Sequence, residues 1–361
     1  MQNIEKLFLD LVKIPSPSGN EDGMRAYVTR ILLSYTKSIY IDTVGNIYAH
    51  FAGSGEPLLL CAHLDTVLPA GSLIPVVDRT YIRADGKNVL GSDNKCAIAA
   101  ILSTIINIYT HKKIHRSFEV LFSVREETDA GIRAFPHTRI QARTGFIADV
   151  SEPIGTVIVG APFVYGYAIS VTAPGLHTAK ITPETIHPLN FLTAFVKKIP
   201  FGKQGSDTIV NIAKIRMGES YNSVPQLLYF TGELRTFKKA KYDQFLKKIK
   251  ETVRQLDSTF HTKSTIEHFP YSVGYMLQKS DTKEVQHMLK TLHIPYVPKT
   301  TFSVGDFSIL NEWGIKTVNI GNGTLEPHTT RERIKRSSLA MLEKIFEAYL
   351  IIKSNPSVVS I

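Results

Sequence analysis

Three short apolar runs, LLLCAH (58–63), SFEVLFSV (117–124) and GFIADV (145–150), constrain this chain more than any other feature. Each is too short for an ordinary helix and reads as a strand buried on both sides. Each also ends at, or just before, a histidine or a carboxylate: His63, the pair Glu126 and Glu127, and Asp149. Between the first two runs, Ile98, Ile101, Leu102, Ile105, Ile106 and Tyr109 recur at helical spacing. The order strand, helix, strand predicts an α/β fold. It is a mixed, mainly parallel sheet with helices on both faces, and its functional residues collect at the carboxyl ends of the strands.

The remaining segments fit around that unit. Residues 3–13 predict a short amphipathic helix, IPSPSGN a turn, and residues 21–35 a second helix capped by Ser18 or Asn20. Short strands follow at 38–42 and 47–51. From about residue 165 the rhythm changes to strand (167–172), helix (186–198), two strands (208–216 and 227–235), helix (238–259) and strand (265–271). The α/β style then returns through residues 281–292, TFSVGDFSIL, KTVNIG and a helix at 334–354. The chain is therefore expected to form a discontinuous α/β domain, residues 1–164 and 271–361, with an α+β domain inserted at 165–270.

Composition narrows the classes. With 43% hydrophobic and 20% charged residues the 361-residue chain is globular in type. Cys61 and Cys96 lack zinc-ribbon spacing and are expected as free thiols in a reducing compartment. No apolar run approaches the ~20 residues of a membrane span, and the first thirty residues lack a secretory pattern. A cytoplasmic location is the expectation. The net charge of +10 is concentrated between residues 166 and 270, with 15 Lys and Arg against 8 Asp and Glu. There Lys247, Lys248 and Lys250 interleave with Phe245, Leu246 and Ile249, the pattern of a solvated helix face. No nucleic-acid signature accompanies them, and neither nucleic acid nor membrane is an expected partner.

Five clusters carry possible chemistry, and each has a bland alternative. His63 and Asp65 lie two residues apart and point to one side of the strand end, so one can ligate a metal and the other orient it. A solvated loop histidine is the alternative. Asp93 stands at the start of an apolar helix, where it could ligate or simply cap the helix. Glu126 and Glu127 reach one site only if the strand has given way to a loop, and could equally be a surface pair. Asp149 ends the third apolar run, and His328 follows the Gly-rich turn GNGTLEP. An open α/β sheet brings such ends together, and their coincidence outweighs each alternative. Two imidazoles and three carboxylates suit zinc, or manganese or cobalt under other supply. The 3− charge of Asp93, Glu127 and Asp149 matches two divalent ions sharing a hydroxide.

At this point the sequence resembles the co-catalytic di-zinc metallopeptidases that include peptidase T, glutamate carboxypeptidase, succinyl-diaminopimelate desuccinylase and acetylornithine deacetylase. The family's IPSxSGxE appears as IPSPSGNE, its HxDTV as HLDTV from His63, its GxDDK as Gly91-Ser92-Asp93-Asn94-Lys95, and its paired glutamates as Glu126 and Glu127. The peptidase T branch is the most similar. The resemblance implies a zinc-exopeptidase-like domain with a ferredoxin-like lid that also forms a homodimer. It implies one metal on His63, Asp93 and Asp149, and a second on Asp93, Glu127 and His328. Glu126 would be the general base acting on a metal-bridged hydroxide, and Asp65 would support His63. His177, in GLHTAK, would donate to the oxyanion in the other subunit, while Asn211 and Arg235 would contact substrate. For Arg235, pairing with Glu233 is the alternative.

The activity so implied is exopeptidase cleavage of a di- or tripeptide. An N-acyl-amino-acid deacylase uses the same metals on the same bond, and a catalytically silent binding relative is the alternative of another class.

Overall fold

Strand Ser54–His63 realises the first apolar run, and the reason it is central is its pairing on both edges. The computed structural model describes residues 4–351. On one side Ser54–His63 runs parallel to Arg116–Ser123, with His63 opposite Ser123. On the other it runs parallel to Thr144–Val150, with Cys61 opposite Ile147. Thr144–Val150 pairs in parallel with Lys316–Gly321. Antiparallel strands Ile47–Phe51 and Ile39–Ile41 extend the sheet beyond Arg116–Ser123. At the opposite edge Lys316–Gly321 meets Thr156–Thr172 antiparallel, and Val297–Thr300 joins that strand in parallel.

Because the four central strands are parallel, their carboxyl ends share one edge of the sheet. His63, Ser123, Asp149 and Gly321 all stand there.

Helices cover both faces. On one, Phe146 packs its ring 5.3 Å from Phe346 and 4.7 Å from Tyr349 of helix Arg336–Leu350. On the other, Cys61 Sγ lies 4.0 Å from Asp306 Oδ2 in helix Asp306–Glu312. Helix Ser92–Thr110 shows more than the predicted stripe: every residue from Ala97 to Ile105 is buried, small and polar ones included. Helices Ile4–Val12 and Arg336–Leu350 both pack against it, so it has almost no solvent face. Fully buried strand residues such as Leu60 and Phe122 each contribute ~1.5–3 kcal/mol. A small antiparallel sheet, Val76–Val77, Tyr81–Arg83, Arg333–Lys335 and Thr324–Leu325, completes this unit. Both cysteines are free and buried.

Two details differ from expectation. Helix Asp22–Leu32 begins at Glu21, and neither Ser18 nor Asn20 caps it; the Ser18 hydroxyl donates instead to Asp65 Oδ2 at 2.6 Å. The final helix runs over Arg336–Leu350, not from residue 334, because Ile334 lies in strand Arg333–Lys335; Ile351 is extended, and residues 352–354 lie outside the described residues.

Contacts divide the chain into two units. The first takes the residues up to Gly160, Met276–Thr300 and those from Gly305, and the second takes Ala161–Tyr275 with Thr301–Val304. In the second, Leu227–Thr236 lies between the later part of Thr156–Thr172 and Thr208–Met217, all antiparallel. Helices Pro188–Lys198 and Lys239–Phe260 close one core with the sheet, through Tyr167, Phe191, Phe195, Phe230, Ile249 and Val253. Lys247, Lys248 and Lys250 point to solvent. Among the described residues no helix is long and apolar enough to cross a membrane.

Candidate metal centre

The His63 imidazole is buried at the carboxyl end of its strand. Its Nδ1 is 3.0 Å from the main-chain oxygen of Asp65 and 3.4 Å from Asp65 Oδ1. Those acceptors place a proton on Nδ1, which makes Nε2 the nitrogen available to a metal once its own proton is lost. Nε2 stands 3.4 Å from Asp149 Oδ1 and 3.6 Å from Asp93 Oδ1.

Asp93 does not cap its helix. The chain turns into Ser92–Thr110 through Gly91 at φ 68°, where a Cβ would meet Thr66 Cγ2 at 2.7 Å. Asp93 and Asn94 then depart from helical φ and ψ. This turns the carboxylate of Asp93 toward both imidazoles, with Oδ2 3.6 Å from His328 Nε2. Asn94, buried beside it, donates from Nδ2 to Asp149 Oδ1.

Arg125, in the left-handed region at φ 56°, ends the second apolar strand, and a single helical turn, Glu126–Asp129, follows. Successive helical side chains diverge by about 100°, less than on a strand, and the paired glutamates share one site. His328 sits between Thr324–Leu325 and Arg333–Lys335, itself at φ 61°, with Nε2 2.9 Å from Glu127 Oε1.

Ligating atoms of His63, Asp93 and Asp149 lie within 4.8 Å of one another, and so do those of Asp93, Glu127 and His328. Asp93 belongs to both groups. A third group, His63, Glu126 and Glu127, puts the Glu126 carboxylate beside the pair. The donor set fits divalent cations: Asp93 Oδ1 is buried without a hydrogen-bond partner, and imidazole with carboxylate oxygen suits zinc, manganese or cobalt.

No protein-family model matches the chain. It is 23% identical over 356 residues to the uncharacterised protein YqjE of Bacillus subtilis, covering 95% of this chain and 96% of the relative. To peptidase T of Desulfitobacterium hafniense it is 24% identical over 319 residues, 83% of this chain and 76% of the relative. A tripeptidase structure from Staphylococcus aureus superposes with TM-score 0.91 at 24% identity, covering 96% of this chain and 97% of that one. A dinuclear metal-binding peptidase of the M20 family from Bacillus subtilis superposes with TM-score 0.73 at 17% identity, covering 96% of each chain. The chain thus shares the fold of these peptidases and is similar in sequence to peptidase T.

Electrostatics in this centre follow from crowding anions around two imidazoles. Despite burial, the Asp149, Asp65 and Asp93 carboxylates hold the His63 pKa well above the ordinary value. Asp93 and Glu127 push that of His328 up to about 10. Burial drives Glu126 well above the carboxylate range against the pull of His63, and lifts Asp149 to about 6. Burial opposes ionisation of Asp93 too, but the two histidines hold it well below its usual value. The site thus favours positive charge at its centre.

Asp65 has a wider part than orienting His63. Its Oδ1 accepts the Glu126 amide at 3.0 Å and its Oδ2 the Glu127 amide at 3.1 Å. Three further groups carry no signal in the sequence. Glu332, 1% exposed, accepts amides next to Asp93. Asp306, buried, accepts from Ser123 Oγ. Gly305 lies so close to Glu126 that a Cβ would come within 2.3 Å of its Oε1.

The remaining predicted residues lie in the second unit. His177 is exposed on the short pair Leu176–His177 and Ser223–Val224, and its Nδ1 accepts from the Ala179 amide at 3.2 Å. Asn211 is exposed opposite Glu233. Arg235 pairs through Nε with Glu233 Oε1 at 2.7 Å and through Nη2 with Oε2 at 3.0 Å, while Nη1 donates to the Phe302 carbonyl at 2.7 Å. The guanidinium is engaged within its own unit.

Proposed function

We propose that this chain is a di-metal exopeptidase releasing an amino acid from a small peptide. The observation that carries the reading is the double membership of Asp93 in two ligand groups, with Glu126 beside them. His63, Asp93 and Asp149 would hold one ion, and Asp93, Glu127 and His328 the other. When bound, paired divalent ions polarise the scissile carbonyl and make water acidic enough to ionise near neutral pH.

Glu126 takes a proton from the attacking water and returns it to the leaving amine. Asp65 fixes the main chain that carries both glutamates, and Gly305 leaves the space the Glu126 carboxylate occupies. In the same reading the second unit serves as lid and homodimer contact. Its His177, accepting at Nδ1 and so protonated at Nε2, donates to the oxyanion in the partner subunit. Mixing His177→Ala with Glu126→Gln protein tests this, because only a shared site regains activity.

Turnover of a tripeptide and of its N-acetylated analogue, before and after chelation, tests the function. The free tripeptide is expected to be preferred, with activity lost on chelation and restored by zinc, manganese or cobalt. Glu126→Gln should lower kcat ~10²–10⁴-fold while keeping the metals. Preference for the acetylated form would make the enzyme a deacylase instead. Turnover indifferent to chelation would remove the metal mechanism.

A further inference from the structure

Aspartate at the start of a helix normally spends its carboxylate on the first free amides. Asp93 does not: its Oδ1 is buried without a hydrogen-bond partner, and the main chain that carries it is held by another carboxylate. Glu332 Oε2 accepts the Gly91 amide at 2.8 Å and Glu332 Oε1 accepts the Asp93 amide at 3.1 Å. Glu332 is buried, and its own carbonyl accepts the Ala84 amide at 2.9 Å, which fixes its main chain to the small sheet.

A second link runs parallel to the first: the buried hydroxyls of Ser92 and Thr324 are 2.9 Å apart. Thr324 and Glu332 bracket His328 on the hairpin that bears it. The two links therefore join the turn carrying Asp93 to the hairpin carrying His328.

We propose that Glu332 is a positioning residue for the metal centre. It holds the turn that carries Asp93 by the Gly91 and Asp93 amides, and so keeps the Asp93 carboxylate turned toward both imidazoles and Asp93 in register with His328. The inference rests on the di-metal reading above. A purely structural cap would stabilise the helix without affecting the ions.

Calorimetric titration of metal-stripped full-length protein with zinc separates the two roles. Wild-type protein is expected to take two equivalents. Glu332→Gln keeps one acceptor oxygen but turns an NH2 toward the other amide, and both steps should weaken at least tenfold, because Asp93 serves both ions. Glu347→Gln is the control. It removes the charge that pairs with Lys113 and keeps one acceptor for Asn107 Nδ2, near the far end of helix Ser92–Thr110, and should keep wild-type affinity.

Wild-type affinity in Glu332→Gln, or equal weakening in Glu347→Gln, would overturn the proposal. Wild-type protein that takes no metal would instead defeat the di-metal reading. Should Glu332→Gln not fold, Thr324→Val cuts the second link. A roughly threefold weakening is then expected, and unchanged affinity would overturn the inference.

Discussion

Asp65 holds Glu126 by its main chain: the Asp65 Oδ1 accepts the Glu126 amide at 3.0 Å, and its other oxygen serves the next residue. An aspartate that sequence spacing assigns to a histidine thus also fixes the start of the turn bearing Glu126. Asp65→Asn keeps the size but leaves one amide facing an NH2. We expect kcat to fall ~10²-fold, the effect of a misplaced catalytic group, with KM nearly unchanged. Steady-state kinetics showing wild-type kcat would exclude this role.

Asn94 donates to Asp149, where a second acidic residue would repel it. Asn94→Asp should therefore destabilise the metal-free protein by about 1–3 kcal/mol, as when a buried hydrogen bond is lost. Bound ions should offset the added charge, so the deficit narrows in the loaded protein. Denaturant titrations with and without zinc measure both quantities; an equal deficit in the two states would contradict the argument.

Gly305 has an extended backbone, φ −175°, that any residue adopts, so its lack of a side chain concerns space alone. In Gly305→Ala the Glu126 carboxylate must swing away. The expected result is a kcat lowered ~10²-fold at unchanged metal content and thermal midpoint. An unaffected kcat would mean that Glu126 works from another position.

The histidines give a pH signature. With the His328 pKa raised to about 10, the stabilisation from its protonated form in metal-free protein is complete below pH 6.5 and lost as pH rises through 10. The thermal midpoint of metal-free wild type should fall more over that range than that of His328→Ala. Ions require neutral imidazoles, so loading at pH 8 should release about two protons per chain in weakly buffered solution. Release of less than half a proton would show that the histidines are already neutral.

What the sequence made legible was what local chemistry records. Apolar runs of strand length marked the central strands, and the histidines and carboxylates at their ends marked the groups that the fold brings together. The entrance of helix Ser92–Thr110 was ambiguous because an aspartate there is equally a cap. Only its departure from helical geometry, which leaves Asp93 Oδ1 buried without a hydrogen bond, argues against the cap. Glu332 itself sits in TTRERIK, a polar stretch that looks like surface, and nothing local marks it as buried. Ser18 misled for a related reason: its hydroxyl suits a cap, yet its acceptor, Asp65, lies 47 residues away. Contacts between a side chain and a distant main chain leave no periodicity to read.

The first unit is interrupted, and this sets an order during synthesis. A ribosome has made His63, Asp93 and Asp149 when roughly 180 residues still separate it from His328, an interval of about ten to forty seconds at ordinary elongation rates. On the di-metal reading, a nascent chain can therefore offer one candidate three-ligand group well before the second exists, and loading of the second must wait until His328 has been made.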